Sequence, residues 1–506
     1  MDVLCPVHDQ QGKRDVIILN IRSMERIYLE TSGETLDPED WQDFRRQSHR
    51  MLDDMLDYTE NLRSRPVWQT IPPAVRDAFN QDMPEQSADM TSAHAIFMQD
   101  VLPYAIGNAH PGFMGWVHGG GTPVGMMAEM LSAGLNANLG GREQMPVEVE
   151  RQVLRWMREL FSFPDTASGL FVTGTSMANF ISVLVARAAH LGVAVRDEGL
   201  SVDHGLVAYA SGSAHVSIAQ AMDMAGLGTL ALRKVCLDEN FQMDVKALEA
   251  AIVKDRAQGL KPFMITATAG TVDVGAIDPL DEIADIAKRH GLWLHVDGAY
   301  GALGMLSPDI APMLKGMERA DSIAFDFHKW GQVPYDAGFV LVKDGELHRR
   351  AFATPAAYLQ RELRGMAAGS PWPCDFGPDL SRSFRALKAW FTLKVYGAEK
   401  LGSMISNTCV LARYLKQRIE AAPMLEMLAP VALNIVCFRY QGSDKLNADI
   451  VVALQESGIA APSTTMVKGR LAIRAAIVNH RTEKRDIDAL VDAVLALGEK
   501  LWSMNE

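Results

Sequence analysis

Two side chains in this sequence are suited to chemistry by type and position. Asp297 ends the apolar run LWLHVDGAYGA and Lys329 ends the apolar run DSIAFDFHKW. Each run has the length and content of a buried strand, so the acid and the amine are expected at strand ends. An amine there can form an imine with an aldehyde, and a carboxylate beside it can keep a pyridine nitrogen protonated, which is what a pyridoxal phosphate site requires. The alternative is two solvated surface groups, one of them capping the next helix. Against that stand His328 directly before Lys329, the small residues after Asp297, and flanking strands too apolar for a lysine that merely faces water.

The elements around this pair alternate. GLFVTGTSMANFISVLVARAAHL reads as a strand over 169–173, a turn of small and hydroxylated residues over 174–176, and a helix to about 190 that is apolar on several sides. Such a turn presents free N–H groups and the positive end of a helix dipole to an anion, although on local evidence alone Thr175 and Ser176 read first as plain N-caps. It has neither the G-K-[ST] of a Walker loop nor a G-x-G-x-x-G turn, which disfavours a nucleotide. LVAYASGSAHVSIAQAMDMAGL repeats the pattern and places His215 at a helix start, as a cap or as part of the same pocket. Strand–helix alternation from about 165 to 345 predicts a mostly parallel sheet with helices on both faces. Ligands bind such sheets at the carboxyl ends of the strands, where Thr175, His215, Thr271, Asp297 and Lys329 all fall.

Outside this block, HPGFMGWVHGGG combines Phe113 and Trp116 with many glycines, as a flexible loop or as a pocket wall whose backbone can approach a ligand closely. Asp37-Pro38-Glu39-Asp40 resembles a helix start. In the helix that follows, Phe44, Met51, Leu52 and Met55 recur at helical spacing as a docking face. Residues 351–380 have little periodicity and are long for a connection, with Tyr358 among them. The remainder, a long helical pattern followed by NIVCFRY, RLAIRAAIV and a last helix, reads as a small α+β domain.

Composition bounds the rest. The chain has 506 residues, 48% of them hydrophobic, enough for a large core and roughly two to four domains. A net charge of −13 argues against nucleic acid or an anionic membrane surface as the main partner. No run is long and apolar enough to span a bilayer. Cys5, Cys236, Cys374, Cys409 and Cys437 are scattered and form no C-x-x-C pair, so neither a disulfide framework nor a zinc or other metal site is signalled. The start of the chain does not read as a secretory signal, and a cytoplasmic protein is expected.

In this order, the segment AHPGF, the run HVDGAYGA, the motif DFHKW and the helix start RALKAWF resemble the group II pyridoxal-phosphate-dependent amino acid decarboxylases, the family of aromatic-L-amino-acid and glutamate decarboxylases. The resemblance covers residues 37 to about 500. It implies fold type I, the aspartate aminotransferase-like α/β fold, as a homodimer. Residues 1–110 would be a helical segment packing on the partner subunit, 111–388 the large cofactor domain with a mobile loop near 351–380, and 389–506 the small C-terminal α+β domain. It implies pyridoxal 5'-phosphate as cofactor, with Lys329 as the Schiff-base lysine and Asp297 as partner of the pyridinium nitrogen. Ala299 and His215 would lie on the two ring faces, and Thr175, Ser176 and His328 at the phosphate. Thr271 would lie near the ring oxygen and Tyr358 would be the lid tyrosine that returns a proton. Phe113, Trp116 and His118 would shape the side-chain pocket, so the expected reaction is decarboxylation of an aromatic L-amino acid to its amine. Two alternatives remain. An acidic substrate would need a cation such as Arg142, and oxidative decarboxylation-deamination to an aldehyde usually goes with an altered lid tyrosine or stacking histidine. Three positions depart from the family pattern: Met177 replaces a glutamate, Phe327 a proline, and Asp326 an asparagine near the phosphate.

Overall fold

The computed structural model describes residues 35–353 and 361–503. Two compact units divide after Asp54. The helix Trp41–Glu60 runs through that division, and Asp40 caps it, its Oδ1 accepting the N–H groups of Gln42 (2.8 Å) and Asp43 (3.0 Å). No residue of that helix is buried, and Phe44 is exposed.

The second unit is built on a seven-stranded sheet in the order β2 (Ser168–Val172), β8 (Gly338–Val342), β7 (Ser322–Asp326), β6 (Trp293–Asp297), β5 (Lys261–Thr268), β3 (Leu206–Ser211) and β4 (Leu232–Val235). Only β8 runs antiparallel to its neighbours. Side chains alternate across a strand, and here the alternation separates an apolar face from a partly polar one. Leu294 and Val296 of β6 and Ile323 and Phe325 of β7 join the large cluster that includes Leu248, Ile252, Ile283 and Ile286 from the helices Val245–Ala257 and Leu280–His290. His295, Asp297, Ser322 and Asp326 alternate with them and so point to the opposite face. There the helix Thr175–Leu191 packs with Ala178, Ile181 and Val185 against Ala324, Val340 and Val342. All four polar side chains are buried, at a position where an apolar residue would otherwise be expected.

A second sheet of five strands holds β1 (Phe113–Met114), β11 (Ala461–Val467), β12 (Arg470–Ala476), β10 (Ile435–Tyr440) and β9 (Leu425–Met427) in that spatial order. Strand β1 lies parallel to β11, Phe113 opposite Ala461, so the HPGF segment is held by the C-terminal sheet. The helical pattern after residue 384 becomes Arg385–Glu420, interrupted at Gly397 (φ 73°), a left-handed conformation that favours glycine.

Over 361–380 of the long segment the structure is more ordered than the sequence pattern implies. Ala351 and Phe352 end the helix Gly345–Phe352. Trp372 is 1% exposed, donates from Nε1 to the Ala368 carbonyl (2.7 Å) and lies under the Arg361 guanidinium at 3.4 Å. Tyr358 lies outside the described residues.

Candidate active site

The carboxyl ends of β2, β3, β5, β6 and β7 open on one cavity of about 510 Å³. Trp116, His118, Thr175, Ser176, His215, Asp297, Ala299, His328 and Lys329 line it. A cavity of similar size, about 530 Å³, lies at the other end of β2 around Arg151, Arg155, Arg158 and Arg349; it includes no other strand of the large sheet and none of these residues.

Asp297 closes the floor, 3% exposed. Its Oδ1 accepts the Ala299 N–H (3.1 Å) and its Oδ2 accepts from Asn179 Nδ2 (3.1 Å). Burial pushes its carboxyl above the usual range, against the pull of the Lys329 charge and of these two donors. Lys329 turns to a different acid: its Nζ is 2.9 Å from Asp326 Oδ2. Asp326 Oδ1 also accepts the Thr175 N–H at 2.8 Å, so Asp326 occupies part of a helix N-terminus that could bind an anion. His328 accepts the Ala337 N–H on Nδ1 (3.0 Å) and packs on Tyr335 with ring centroids 4.2 Å apart. Burial lowers its pKa to about 4, so the ring is neutral and Nε2 carries its proton.

The helix Thr175–Leu191 begins at Gly174 with no side-chain cap, so neither hydroxyl of the turn serves as its N-cap. Thr175 Oγ1 and Thr268 Oγ1 are buried without a hydrogen-bond partner among the described residues. Unpaired buried hydroxyls are costly, and a ligand bearing oxygen acceptors in the cavity would satisfy them. His215 is both cap and wall: it is N-cap of the helix Val216–Met224, accepting the Ser217 N–H on Nδ1, and its ring lines the cavity. The cap and pocket readings of this histidine both hold.

Aromatic groups form the entrance. His118 stacks on Trp116 (5.8 Å, 23°) and on Phe113 (5.7 Å, 14°), with Tyr335 edge-on to it at 5.8 Å. Trp116 is 51% exposed and has φ +44°, an unusual conformation for a bulky residue. Its carbonyl is held by buried Arg474 from the small sheet (3.2 Å). Phe113 lies behind this wall, buried against Val67 and Ala461. The glycines nearby have a different use from the expected one. A Cβ on Gly119 would lie 2.5 Å from the His328 and Lys329 carbonyls, and one on Gly120 2.7 Å from the Asn479 side chain. Their close approach is to the protein's own backbone and to Asn479 rather than to a ligand.

Thr271 does not line the cavity. Strand β5 ends at Thr268, and Thr271 Oγ1 accepts the Ala276 N–H (3.0 Å) inside the following turn. Thr268 takes the strand-end place. Arg142 is also absent from the lining; its guanidinium lies over the Trp372 ring at 4.3 Å. Sequence reading passed over Asn179, Ser217, Thr268, Tyr300 and Tyr335. Only Asn179 carried a usable signal, an amide in a buried, largely apolar helix.

The sequence profile described as the pyridoxal-dependent decarboxylase conserved domain matches residues 72–441. The chain belongs to the pyridoxal-dependent decarboxylases. It is 32% identical over 475 residues to the aromatic-L-amino-acid decarboxylase of Bacillus atrophaeus, covering 91% of this chain and 96% of that one. Tryptophan decarboxylase 2 of Oryza sativa subsp. japonica is 29% identical, with 90% and 94% covered. The crystal structure of Catharanthus roseus tryptophan decarboxylase in complex with L-tryptophan aligns with a TM-score of 0.82 and 25% identity, over 92% of this chain and 100% of that one. The decarboxylase therefore has fold type I and uses pyridoxal 5'-phosphate, and the unpartnered Thr hydroxyls, the helix start beside them, the buried acid and the half-buried amine fit that group.

Proposed function

We propose that this decarboxylase acts on an aromatic L-amino acid and releases the primary amine and carbon dioxide. The observation that carries the substrate class is the aromatic wall of Trp116, His118 and Tyr335, together with a cavity lining whose described residues include no arginine. A distal carboxylate would call for a guanidinium, and Arg142 is engaged with Trp372. Flat faces at the entrance suit a flat side chain.

When bound, pyridoxal 5'-phosphate supplies an aldehyde that condenses with an amine and a protonated ring that takes up the electron pair left by carbon dioxide. Ser176, Thr175 and the start of the helix they open would hold the phosphate, with His328 beside them. Asp297 would keep the ring nitrogen protonated, and Lys329 would carry the cofactor and release it to substrate. Ala299 and His215 would bracket the ring, and His215 Nε2 would donate to the substrate carboxylate. Thr268, rather than Thr271, has the unpartnered hydroxyl at the strand end. The lid role stays with Tyr358, which would return a proton to the alpha carbon and keep water out.

The domain layout belongs to the same proposal, with residues 1–110 packing on a partner subunit, and so does a homodimer. Exposed Met130, Leu131 and Leu135 on the helix Pro123–Leu135 support a covered face. The four cysteines among the described residues, none of them in a disulfide, support a cytoplasmic setting.

The test is a panel of L-amino acids assayed for amine, aldehyde and carbon dioxide with wild-type and Lys329→Ala enzyme. Amine from an aromatic substrate, and none from the variant, is the expected result. Faster turnover of glutamate or aspartate would overturn the substrate assignment, and aldehyde as the main product would overturn the reaction.

A further inference from the structure

A continuous set of buried hydrogen bonds joins the two walls of the cavity, and its direction follows from the chemistry of its ends. Trp293 Nε1, a donor only, gives its proton to Ser322 Oγ (2.9 Å). Ser322 Oγ is 2.9 Å from His295 Nδ1, and His295 Nε2 is 2.8 Å from Asn179 Oδ1. Asn179 Nδ2 reaches both Asp297 Oδ2 (3.1 Å) and Ser217 Oγ (3.1 Å). Ser217 Oγ is 2.8 Å from His215 Nδ1, which also accepts the Ser217 N–H at 3.2 Å. Asn179, His295 and Ser322 are each 0% exposed, and Ser217 is 2% exposed.

Each proton can be placed from the His215 end. A backbone N–H only donates, so His215 Nδ1 is bare and its proton is on Nε2, the ring's other nitrogen. With Nδ1 bare, the Ser217 hydroxyl donates to it, so Ser217 Oγ must accept from Asn179. The amide nitrogen of Asn179 therefore faces both Ser217 and Asp297, and Asp297 Oδ2 accepts. The amide oxygen then faces His295, whose Nε2 must carry the proton. Burial lowers the His295 pKa to about 3, so its Nδ1 is bare and accepts from Ser322. Ser322 in turn accepts from the Trp293 indole. Both ends give the same polarity, and the opposite one would set the Ser217 N–H against a protonated Nδ1.

We propose that Asn179 is a positioning residue that holds Asp297 as an acceptor and, through Ser217, fixes His215 as an Nε2–H donor toward the cavity. His295, Ser322 and Trp293 lock its amide in the one orientation that serves both. The inference rests on the reading of Asp297 and His215 as the walls on either side of the cofactor. Its consequence is that His215 acts as a hydrogen-bond donor and not as a base, because its bare nitrogen is already used twice. The Asn179 and Ala299 donors also favour the ionised form of Asp297, against the burial that raises its pKa.

Neutron diffraction from deuterated crystals of the holoenzyme reads these positions directly. Deuterium is expected on Nε2 of His215 and His295, and none on Nδ1 of either ring or on Asp297. Deuterium on His215 Nδ1 or on the Asp297 carboxylate would overturn the proposal. No substrate is needed, so an error in the substrate assignment would leave this result unchanged. Variants supply the second measurement. Asn179→Leu should shift the pH profile of the cofactor's visible band by about one unit or more, with kcat reduced roughly 10–100-fold, the scale seen for supporting partners of metal ligands. Ser217→Ala cuts only the branch to His215; it should leave that pH profile in place and lower kcat about tenfold, and Ser217→Thr should restore it. If Asn179→Leu does not fold, the Ser217 pair and the neutron map decide. A Ser217→Ala enzyme with wild-type kcat, or a Ser217→Thr enzyme as slow as the alanine variant, would refute the coupling.

Discussion

Asp297 and Asp326 end neighbouring parallel strands, point to the same face of the sheet and are nearly equally buried, at 3% and 2% exposed. Their surroundings differ. Asp297 meets neutral donors, the Ala299 N–H and the Asn179 amide. Asp326 meets a cation, Lys329 Nζ at 2.9 Å, together with the Thr175 N–H. An acid among neutral donors can take a new positive partner such as a protonated ring nitrogen. An acid already paired with an ammonium has its charge compensated, and its part is to hold the lysine and the helix start. Residue type and burial are shared, so the neighbours decide the role.

Replacing each acid by its neutral isostere separates the two roles. Asp297→Asn should keep bound cofactor but lower kcat by about 100–1000-fold, the scale of losing one preorganised electrostatic partner. Cofactor retention is read from the visible absorption band and kcat from amine release. Near-normal turnover would mean that Asp297 is not the partner of the ring nitrogen.

Asp326→Asn should be milder, with kcat within about tenfold of wild type, because asparagine can still accept the Thr175 N–H while Lys329 loses only its counter-ion. The same change removes a negative charge from the phosphate end of the cavity, so the affinity for pyridoxal 5'-phosphate should rise and depend less on salt. Both effects can be measured by titrating cofactor into apoenzyme at two ionic strengths. Equal losses in the two variants would mean that the strand ends do not differ as argued.

The smallest effect is on stability. Burial lowers the pKa of His295 to about 3 and that of His328 to about 4, from an ordinary 6.5. Between those limits the unfolded chain binds protons that the folded chain cannot. Their contribution is therefore full above pH 6.5 and is lost as pH falls through 4 and then 3. Urea midpoints should drop across this window, and replacing His295 by Gln should flatten part of the fall.

Much of this site was legible in the linear chain. Apolar strands that end in an acid or an amine can only place those groups at the rim of a parallel sheet, so Asp297, Lys329, His215 and the 174–176 turn could be assigned to one end without coordinates. The period of two along LWLHVD also separates His295 and Asp297 from Leu294 and Val296. Where the reading missed, a competing local interaction had won. Asp278 precedes Pro279 just ahead of a helix, a place that suits a cap, yet it is buried and accepts the N–H groups of Met243 and Thr268. Thr271 was expected at the rim, but the strand stops three residues earlier and the turn uses its hydroxyl.

Sequence alone determined which residues could be reactive and which end of the sheet they share, because strand period and strand ends are local properties of the chain. Tertiary structure decided which acid faces the lysine, that Asn179 joins Asp297 to His215, and that the HPGF segment belongs to the C-terminal sheet. Hydrogen-bond partners more than a hundred positions apart, such as Asn179 with His295 and Asp297, leave no periodic mark in a sequence. They exist only once the helix and strands are packed together.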